Sequence, residues 1–257
     1  MDDYQTHRGK VLTRGTLYLV GVGPGDPELL TLKAARILAE MDNVAFPQKP
    51  GVNSLALSIA KPHLSENASF FPIDLPMEKS REPGKQAYDL AAKKISELLN
   101  EGKSVAYLCE GDPLFYGSAM YLIARLSGGF EIQIIPGITS LNAATAALGR
   151  PLVARSERLK VLPATLSDAE IAAELSNCES VAILKTGRHF PRIRALLRQS
   201  GHGENTFIIE HASGSNQVIS SLEEYAKETL PYFAILLCYN GEEVWANKNW
   251  VTIGKQN

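Results

Sequence analysis

Three segments in the first 150 residues share one pattern, in which an apolar run ends in a loop with glycine and proline and a helical pattern follows. They are LYLVGVGPGDPELLTL from Leu17, VAYLCEGDPLFYGS from Val105 and IQIIPGITSLNAA from Ile132. In an α/β fold, a strand that ends in such a loop presents backbone N–H groups and a helix N-terminus at the carboxyl edge of the sheet, where ligands usually bind. The pattern therefore predicts three loops at one sheet edge that line one ligand site.

Composition narrows the class of protein. The chain has 257 residues, is 45% hydrophobic and carries a formal net charge of -2, which favours a well-packed core and argues against a nucleic-acid partner. Three widely spaced cysteines indicate a reducing compartment rather than a disulfide framework. Neither a signal-peptide pattern nor an apolar stretch of membrane-spanning length occurs. We expect a cytoplasmic protein with no membrane partner.

Apolar periodicity predicts strands at residues 17–22, 44–46 ending before Pro47, 70–73, 104–109 and 132–135, with helices between them. This alternation predicts an α/β domain with a mostly parallel sheet and flanking helices over residues 15–148. Residues 149–155 have the composition of a linker, and residues 1–14 that of a loose tail. A second α/β domain at 156–257 is predicted to hold a mixed sheet and a helix capped by Ser167.

The first loop argues against a dinucleotide site. Gly21, Gly23 and Gly25 are followed by Asp26, where the dinucleotide fingerprint requires glycine or alanine. Two prolines in this loop also remove backbone donors that a pyrophosphate would need. The segment AFPQKP after the second strand offers no acid for a ribose hydroxyl. We therefore do not expect NAD binding.

The second loop places two carboxylates, Glu110 and Asp112, directly after a predicted buried strand. This arrangement suits an uncharged or cationic ligand, such as a sulfonium or an adenosine with its ribose hydroxyls. A turn with two solvated acids is the alternative interpretation. Similarly, Asp26 can serve as the N-cap of the helix that follows it.

Four motifs taken together, GVGPGD, EGDPLFYGS, PGITSLNAA and RLKVLPAT, resemble those of the tetrapyrrole methylase superfamily, whose members transfer methyl groups from S-adenosylmethionine. The resemblance covers nearly the whole chain and is strongest to the precorrin-2 C(20)-methyltransferase subfamily, metal-free or cobalt-dependent. It implies two α/β domains with the active site in the cleft between them, a homodimer, and methylation of precorrin-2 or cobalt-precorrin-2 in cobalamin biosynthesis. Matching the family's motifs implies donor-binding roles for Pro24, Gly111, Asp112, Pro113, Thr139, Ser140, Leu166, Lys185 and Ala212. Lys185 departs from the family, in which this position is often apolar.

The implied reaction also needs a base that removes a proton from the methylated carbon. Asp26, Glu110 and Tyr116 are the candidates, with Asp26 first because it follows the glycine loop at the sheet edge. The substrate's carboxylates would pair with basic residues in predicted loops, for which Arg155 and Arg158 near the linker are preferred. The further basic candidates are Arg188, Lys49, Arg81, Lys85 and Arg150.

Other interpretations stay open beside this one. The histidines are scattered without ligand spacing, so no protein-bound metal is expected. A methylase of the same superfamily could act on a different ring carbon. A protein that binds S-adenosylmethionine without catalysis is the second alternative.

Overall fold

The structure is a computed structural model in which residues 14–75 and 82–241 are described. Within them, backbone contacts divide the chain into two compact units. The first unit combines the residues up to Val22 with Leu30–Gly137, and the second combines Gly23–Leu29 with the residues from Ile138 onward. The predicted domain boundaries, with a linker at 149–155, stay a prediction.

In the described part of the first unit, five parallel strands form one sheet of order β3-β2-β4-β1-β5. The strands are β1 Thr16–Gly21, β2 Asn43–Gln48, β3 Ser69–Asp74, β4 Val105–Cys109 and β5 Glu131–Ile135. The helices described in this unit are α1 Leu32–Ala39, α2 Leu55–Ala60, α3 Glu82–Asn100 and α4 Met120–Leu126. Because β4, β1 and β5 are parallel neighbours, the three glycine loops leave the sheet at one edge, as predicted.

The central strands are apolar throughout because helices cover both faces of the sheet. In β4, Val105, Tyr107 and Cys109 pack with α3 and α4. The alternate residues Ala106 and Leu108 pack with α1 and α2. Each large aliphatic side chain buried in this way stabilises the fold by about 1.5–3 kcal/mol. Burial on both faces explains the continuous apolar runs of the sequence.

The expectation that Pro47 ends the second strand is wrong, because β2 continues through it. Among the described residues, β2 is paired beyond Ala45 with β3 alone. In this part of the structure Pro47 therefore lies where one side of the strand has no paired neighbour, and its missing N–H is tolerated there.

In the described part of the second unit, a five-stranded mixed sheet has the order β6-β7-β10-β8-β9. Its strands are β6 Leu159–Pro163, β7 Ser180–Leu184, β8 Thr206–Glu210, β9 Val218–Ser221 and β10 Ala234–Tyr239, and its helices are α5 Ser140–Leu148, α6 Asp168–Ser176 and α7 Phe190–Gln199. β6 and β7 are parallel, whereas β10 is antiparallel to both β7 and β8. The predicted mixed sheet is confirmed, and β9 is an additional strand.

Helices α6 and α7 pack on this sheet through one apolar cluster that includes Ile171, Leu175, Phe190, Ile193 and Leu197. The predicted cap of α6 is confirmed. Ser167 Oγ accepts the Glu170 N–H at 3.3 Å, and the Glu170 carboxylate accepts the Ser167 N–H at 2.9 Å. This reciprocal pairing is a capping box. Among the helices described, none combines the length and apolar character that a membrane crossing requires.

Candidate functional site

Three glycines bring the backbones of three loops into contact at the carboxyl edge of the first sheet. Gly21 ends β1, Gly111 follows β4, and Gly137 follows β5. A Cβ on Gly137 would lie 2.1 Å from the Gly111 carbonyl oxygen, and one on Gly21 would lie 2.6 Å from the Gly137 nitrogen. No side chain fits at such distances, so the close approach of the loops requires glycine.

Asp112 joins two of these loops through its carboxylate. Its Oδ1 accepts the Leu114 N–H at 2.9 Å, and its Oδ2 accepts the Gly137 N–H at 3.1 Å. The preceding Gly111 has a φ of 66°, which is the left-handed region that favours glycine. Asp112 therefore holds the loop after β4 against the loop after β5. Its contact with a methyl donor stays a prediction.

Glu110 has a different environment from Asp112, although only one residue separates them. It is half-buried, and burial raises the pKa of its carboxyl above the usual range. Hydrogen bonds from its own backbone N–H and from that of Ala56 offset part of this effect. A carboxylate with a raised pKa is a stronger base near neutral pH. This environment favours Glu110 as a proton acceptor.

Tyr116, the third candidate base, lies on the exposed part of the same loop. Its side chain is 42% exposed, and its ring meets the Phe115 ring edge to face at a centroid distance of 5.3 Å. The backbone of Tyr116 has a φ of 55°, a left-handed conformation that costs a non-glycine residue about 1–2 kcal/mol. Pro113, a predicted donor contact in this loop, is buried.

In the second unit, the loop that contains Pro24 and Asp26 packs against the turn at residues 211–214. The Asp26 N–H donates to Ser213 Oγ at 3.1 Å, and a Cβ on Gly25 would lie 2.8 Å from the Gly214 nitrogen. Asp26 Oδ1 accepts the N–H two residues later at 2.8 Å and so caps a short 3-10 turn. The predicted capping role of Asp26 is therefore confirmed for the short 3-10 turn that directly follows it.

The helix α1 has a cap of its own, because Thr31 Oγ1 accepts the Ala34 N–H at 3.1 Å. Asp26 does not cap this longer helix. Within the described part of the chain, hydrogen bonds engage the Asp26 carboxylate through Oδ1 alone.

Three predicted donor contacts lie at one edge of the second sheet. Leu166 and Lys185 follow the carboxyl ends of the parallel strands β6 and β7. β8 runs in the same direction as β7, because both are antiparallel to β10, so Ala212 follows β8 at the same edge. Ala212 is buried and Leu166 packs on the core, whereas Lys185 is exposed. The structure thus brings these three residues to a common edge.

A buried hydroxyl lies next to Lys185 at this edge. Within the described residues, Thr186 Oγ1 is buried and has no hydrogen-bond partner. A buried polar group without a partner costs about 1–3 kcal/mol, which a polar ligand atom could recover. Lys185 itself has a φ of 57°, which is unusual for a lysine. These features are consistent with a ligand at this edge.

Thr139 and Ser140 start helix α5 in the second unit. Thr139 Oγ1 donates to Asn142 Oδ1 at 2.6 Å and accepts the Asn142 N–H at 3.5 Å. Ser140 is the first helical residue. The Thr139 hydroxyl is used in capping, and its donor contact stays a prediction.

Arg158 is engaged by an acid. Its Nε and Nη2 donate to the two oxygens of Glu179 at 3.2 and 2.9 Å, and its backbone N–H donates to the same carboxylate at 2.9 Å. These hydrogen bonds lower the pKa of Glu179 to about 2. Binding of a substrate carboxylate by Arg158 would require it to release Glu179.

The other basic candidates are spread over several elements. Arg155 is exposed, with a φ of 46°, in a turn where the Ala154 N–H donates to the Glu157 carboxylate at 2.8 Å. Arg188 Nε donates to His189 Nε2 at 3.4 Å. Of the remaining candidates, Lys49 is exposed, Lys85 pairs with Glu82, Arg150 lies over the Phe207 ring and Arg81 lies outside the described residues.

Ser213 and Thr186 are absent from the predicted set of site residues. Their positions beside Ala212 and Lys185 are the only signal that the sequence offers for them. Among the described residues, no group of three or more histidine, cysteine or acidic side chains is arranged to hold a metal ion.

Comparison with known proteins finds relatives over most of the chain. The family model for tetrapyrrole (corrin/porphyrin) methylases matches residues 16–226. A precorrin-2 C(20)-methyltransferase from Sinorhizobium sp is 37% identical over 231 residues, which cover 87% of this chain and 94% of that protein. The cobalamin biosynthesis protein CobIJ of Mycobacterium bovis is 39% identical over 238 residues, which cover 89% of this chain. The match spans 46% of the length of that relative.

A solved structure shares the fold. The uroporphyrin-III C-methyltransferase of Thermus thermophilus, complexed with S-adenosylhomocysteine, has a TM-score of 0.60 at 24% identity, over 88% of this chain and 97% of that chain. The predicted fold class, with a parallel first sheet and a mixed second sheet, is confirmed.

Proposed function

Because this chain belongs to the tetrapyrrole (corrin/porphyrin) methylase family, we propose that it transfers a methyl group from S-adenosylmethionine to C(20) of precorrin-2 or cobalt-precorrin-2 in cobalamin biosynthesis. The observation that carries this choice is the 37% identity to a precorrin-2 C(20)-methyltransferase over 94% of that protein's length. Relatives of other names match at comparable identity, and the CobIJ match spans less than half of that protein. The ring position methylated is therefore the point to test.

The proposed reaction is a displacement at a methyl carbon. S-adenosylmethionine supplies a methyl group on a positively charged sulfur, and the positive charge is lost as the methyl leaves. Such a step depends on alignment, which can contribute about 7–11 kcal/mol to lowering the barrier. The close-packed backbone at Gly21, Gly111 and Gly137 supports this role, because it holds the loops in one arrangement.

Donor binding is assigned to loops of both units. In the first unit, Gly111, Asp112 and Pro113 would contact the donor after β4. In the second unit, the residues assigned to the donor are Pro24, Thr139, Ser140, Leu166, Lys185 and Ala212. The unpartnered Thr186 hydroxyl next to Lys185 supports this assignment, since a nucleoside offers polar atoms that could satisfy it.

Three residues are proposed for removal of the C(20) proton. Asp26 is the first choice, because one of its oxygens is fixed in a turn while the carboxylate stays half-buried. Glu110 is supported by its raised pKa. Tyr116 is supported only by its place in the same loop as Glu110.

Recognition of the substrate's carboxylates is assigned to Arg155, Arg158 and Arg188. Arg155 is exposed in a turn and Arg188 is exposed in the short 3-10 helix Gly187–His189, and at such positions a guanidinium can form paired hydrogen bonds with an acetate or propionate group. Arg158 ranks below them because Glu179 occupies its guanidinium.

We also propose that the protein is a cytoplasmic homodimer. Leu114, Met120 and Tyr121 support the dimer, because these apolar side chains near the start of α4 are 54%, 50% and 41% exposed. Light scattering should give a mass of two chains. Leu114→Glu is expected to shift that mass toward one chain, and a single-chain mass for the unaltered protein would contradict the proposal.

The decisive experiment is a methyl-transfer assay with precorrin-2 and cobalt-precorrin-2 side by side. Transfer of a carbon-13 methyl group, followed by mass measurement and NMR, identifies the ring carbon that is methylated. We expect one added methyl at C(20) and strongly reduced turnover for Asp26→Ala. Methylation at another carbon would assign the chain to a different activity of the family. Binding of S-adenosylhomocysteine without product would indicate a non-catalytic protein.

A further inference from the structure

The turn at residues 211–214 has a backbone that is costly to form. His211 and Ser213, on either side of Ala212, have φ values of 48° and 64°. Neither is glycine, so both adopt the left-handed region against their intrinsic preference. Such a conformation persists only where surrounding contacts hold it. The contacts around this turn therefore indicate which side chain the turn holds in place.

A chain of hydrogen bonds holds the turn. The His211 N–H donates to the Phe233 carbonyl at 2.8 Å, and the Gly214 N–H donates to the His211 carbonyl at 2.8 Å. The Ser213 N–H donates to Gln217 Oε1 at 2.7 Å. Gln217 is itself fixed, since its own N–H donates to the Gly214 carbonyl at 3.0 Å. These bonds leave the Ser213 hydroxyl directed at a partner outside the turn.

That partner is the backbone of Asp26. Ser213 Oγ accepts the Asp26 N–H at 3.1 Å, and the adjacent Gly25 lies too close to the turn for any side chain. Pro24 and Pro27 have no N–H, so the Asp26 N–H is one of few donors through which this loop can be anchored. The loop and the turn are thus joined by a hydrogen bond and by a glycine contact.

The bond to Ser213 constrains the Asp26 carboxylate. Asp26 Oδ1 is held by the Glu28 N–H at 2.8 Å. Within residues 14–75 and 82–241, no hydrogen bond engages the other oxygen, Oδ2. With its backbone N–H and its Oδ1 both fixed, Asp26 presents Oδ2 in a single orientation.

We propose that Ser213, supported by Gln217, is a positioning residue that orients Asp26 Oδ2 as the proton acceptor of the methyl transfer. The inference rests on the proposed function. In the reaction, the bond between sulfur and methyl carbon breaks with its electron pair passing to sulfur, and a carbon–carbon bond forms at C(20). The proton on C(20) then passes to Asp26 Oδ2 and restores the conjugated ring system.

The test compares Ser213→Ala with Ser215→Ala. Ser215 is an exposed serine two residues along the same segment and has no part in the site. Ser213→Ala should lower kcat by about ten- to a hundred-fold, because a small misplacement of a catalytic group has an effect of this size. KM for S-adenosylmethionine should change less than about two-fold for either variant. Ser215→Ala should retain full turnover.

A double-mutant cycle separates positioning from a general structural effect. Once Asp26→Asn has removed the proton acceptor, adding Ser213→Ala should lower kcat no further. Losses that multiply in the double variant, or an unchanged kcat for Ser213→Ala, would overturn the proposal. Gln217→Ala is the second probe if Ser213→Ala fails to fold, and it should lower kcat in the same non-additive way.

Failure of the proposed function would give a different result from failure of the positioning role, because it would show in the unaltered protein. In that case the unaltered protein neither methylates precorrin-2 or cobalt-precorrin-2 nor binds S-adenosylhomocysteine in calorimetry. An active unaltered protein with a fully active Ser213→Ala variant would refute only the positioning role.

Discussion

Two carboxylates next to one glycine differ in their chemistry at the end of β4. Glu110 is half-buried, and burial raises its pKa. Asp112 accepts the Leu114 N–H of its own loop with Oδ1 and the Gly137 N–H of the loop after β5 with Oδ2. The two carboxylates therefore have different roles. Glu110 is suited to accept a proton, and Asp112 is suited to hold the backbone in place.

The raised pKa of Glu110 predicts a pH-dependent stability. The pKa of Glu110 is higher in the folded state than in the unfolded state. Its contribution to the free energy of unfolding is therefore complete below the ordinary glutamate pKa and is lost as the pH rises through the raised value. One such group changes the free energy of unfolding by at most about 1.4 kcal/mol per pH unit. Glu110→Gln should therefore lose less stability than the unaltered protein as the pH rises above the ordinary glutamate pKa, as measured by urea unfolding.

The matched control for this prediction is Glu97→Gln, on the exposed face of α3. Its stability should follow that of the unaltered protein at every pH. Parallel curves for Glu110→Gln and the unaltered protein would show that the buried environment of Glu110 has no energetic effect.

Asp112→Asn is expected to destabilise the first unit by about 1–3 kcal/mol. The asparagine side chain has one acceptor oxygen, so either the Leu114 or the Gly137 N–H loses its partner. Urea unfolding measures this loss. Asp74→Asn, an exposed change at the end of β3, should stay within about 0.5 kcal/mol. Equal stability of the two variants would contradict the bridging role of Asp112.

At the scale of elements, the loops after β1, β4 and β5 all need glycine where their backbones meet. The sequence shows glycine at each strand end, and the tertiary structure shows why, because the backbones meet. A side chain at the contact would have to separate the loops and, with them, the residues that they carry.

Gly137→Ala should be severely destabilising, by about 3 kcal/mol or more, since its Cβ would lie 2.1 Å from the Gly111 carbonyl oxygen. Gly128→Ala is the matched control, because a Cβ there meets nothing within 4 Å. The control should be neutral, or more stable by up to about 1 kcal/mol. Thermal unfolding of both variants measures the difference, and equal midpoints would refute the close contact.

Strands that are covered on both faces were predictable, because the apolar run is a local signal. The helix capped at Ser167 was predictable for the same reason, since its capping box lies within four residues. β9 has the sequence VISS and forms by pairing with β8, which no local pattern reveals. The prediction that Pro47 ends β2 is wrong because proline is tolerated where a strand has no hydrogen-bonded neighbour on one side. Only the pairing of β2 with β4, which is described for Val44 and Ala45, reveals that position.

At the scale of the whole molecule, ligand binding should raise the free energy of unfolding. S-adenosylhomocysteine at about a hundred times its Kd is expected to raise the free energy of unfolding by about 2.7 kcal/mol, because it binds the folded state alone. NAD at the same concentration should give no change, since Asp26 and the prolines of the first loop disfavour a pyrophosphate. Stabilisation by NAD instead would overturn the assignment of the donor.

The sequence by itself determined the parallel first sheet and the mixed second sheet, because apolar periodicity and glycine position are encoded over short stretches. It also carries the four motifs whose resemblance indicated the family that the family model matches. Only the tertiary structure decided the partners of the polar site candidates. Asp112 meets a residue 25 positions away, Arg158 one 21 positions away, and Asp26 one 187 positions away. A hydrogen bond between distant positions requires both segments to be folded against each other, so no local pattern in a single sequence records it.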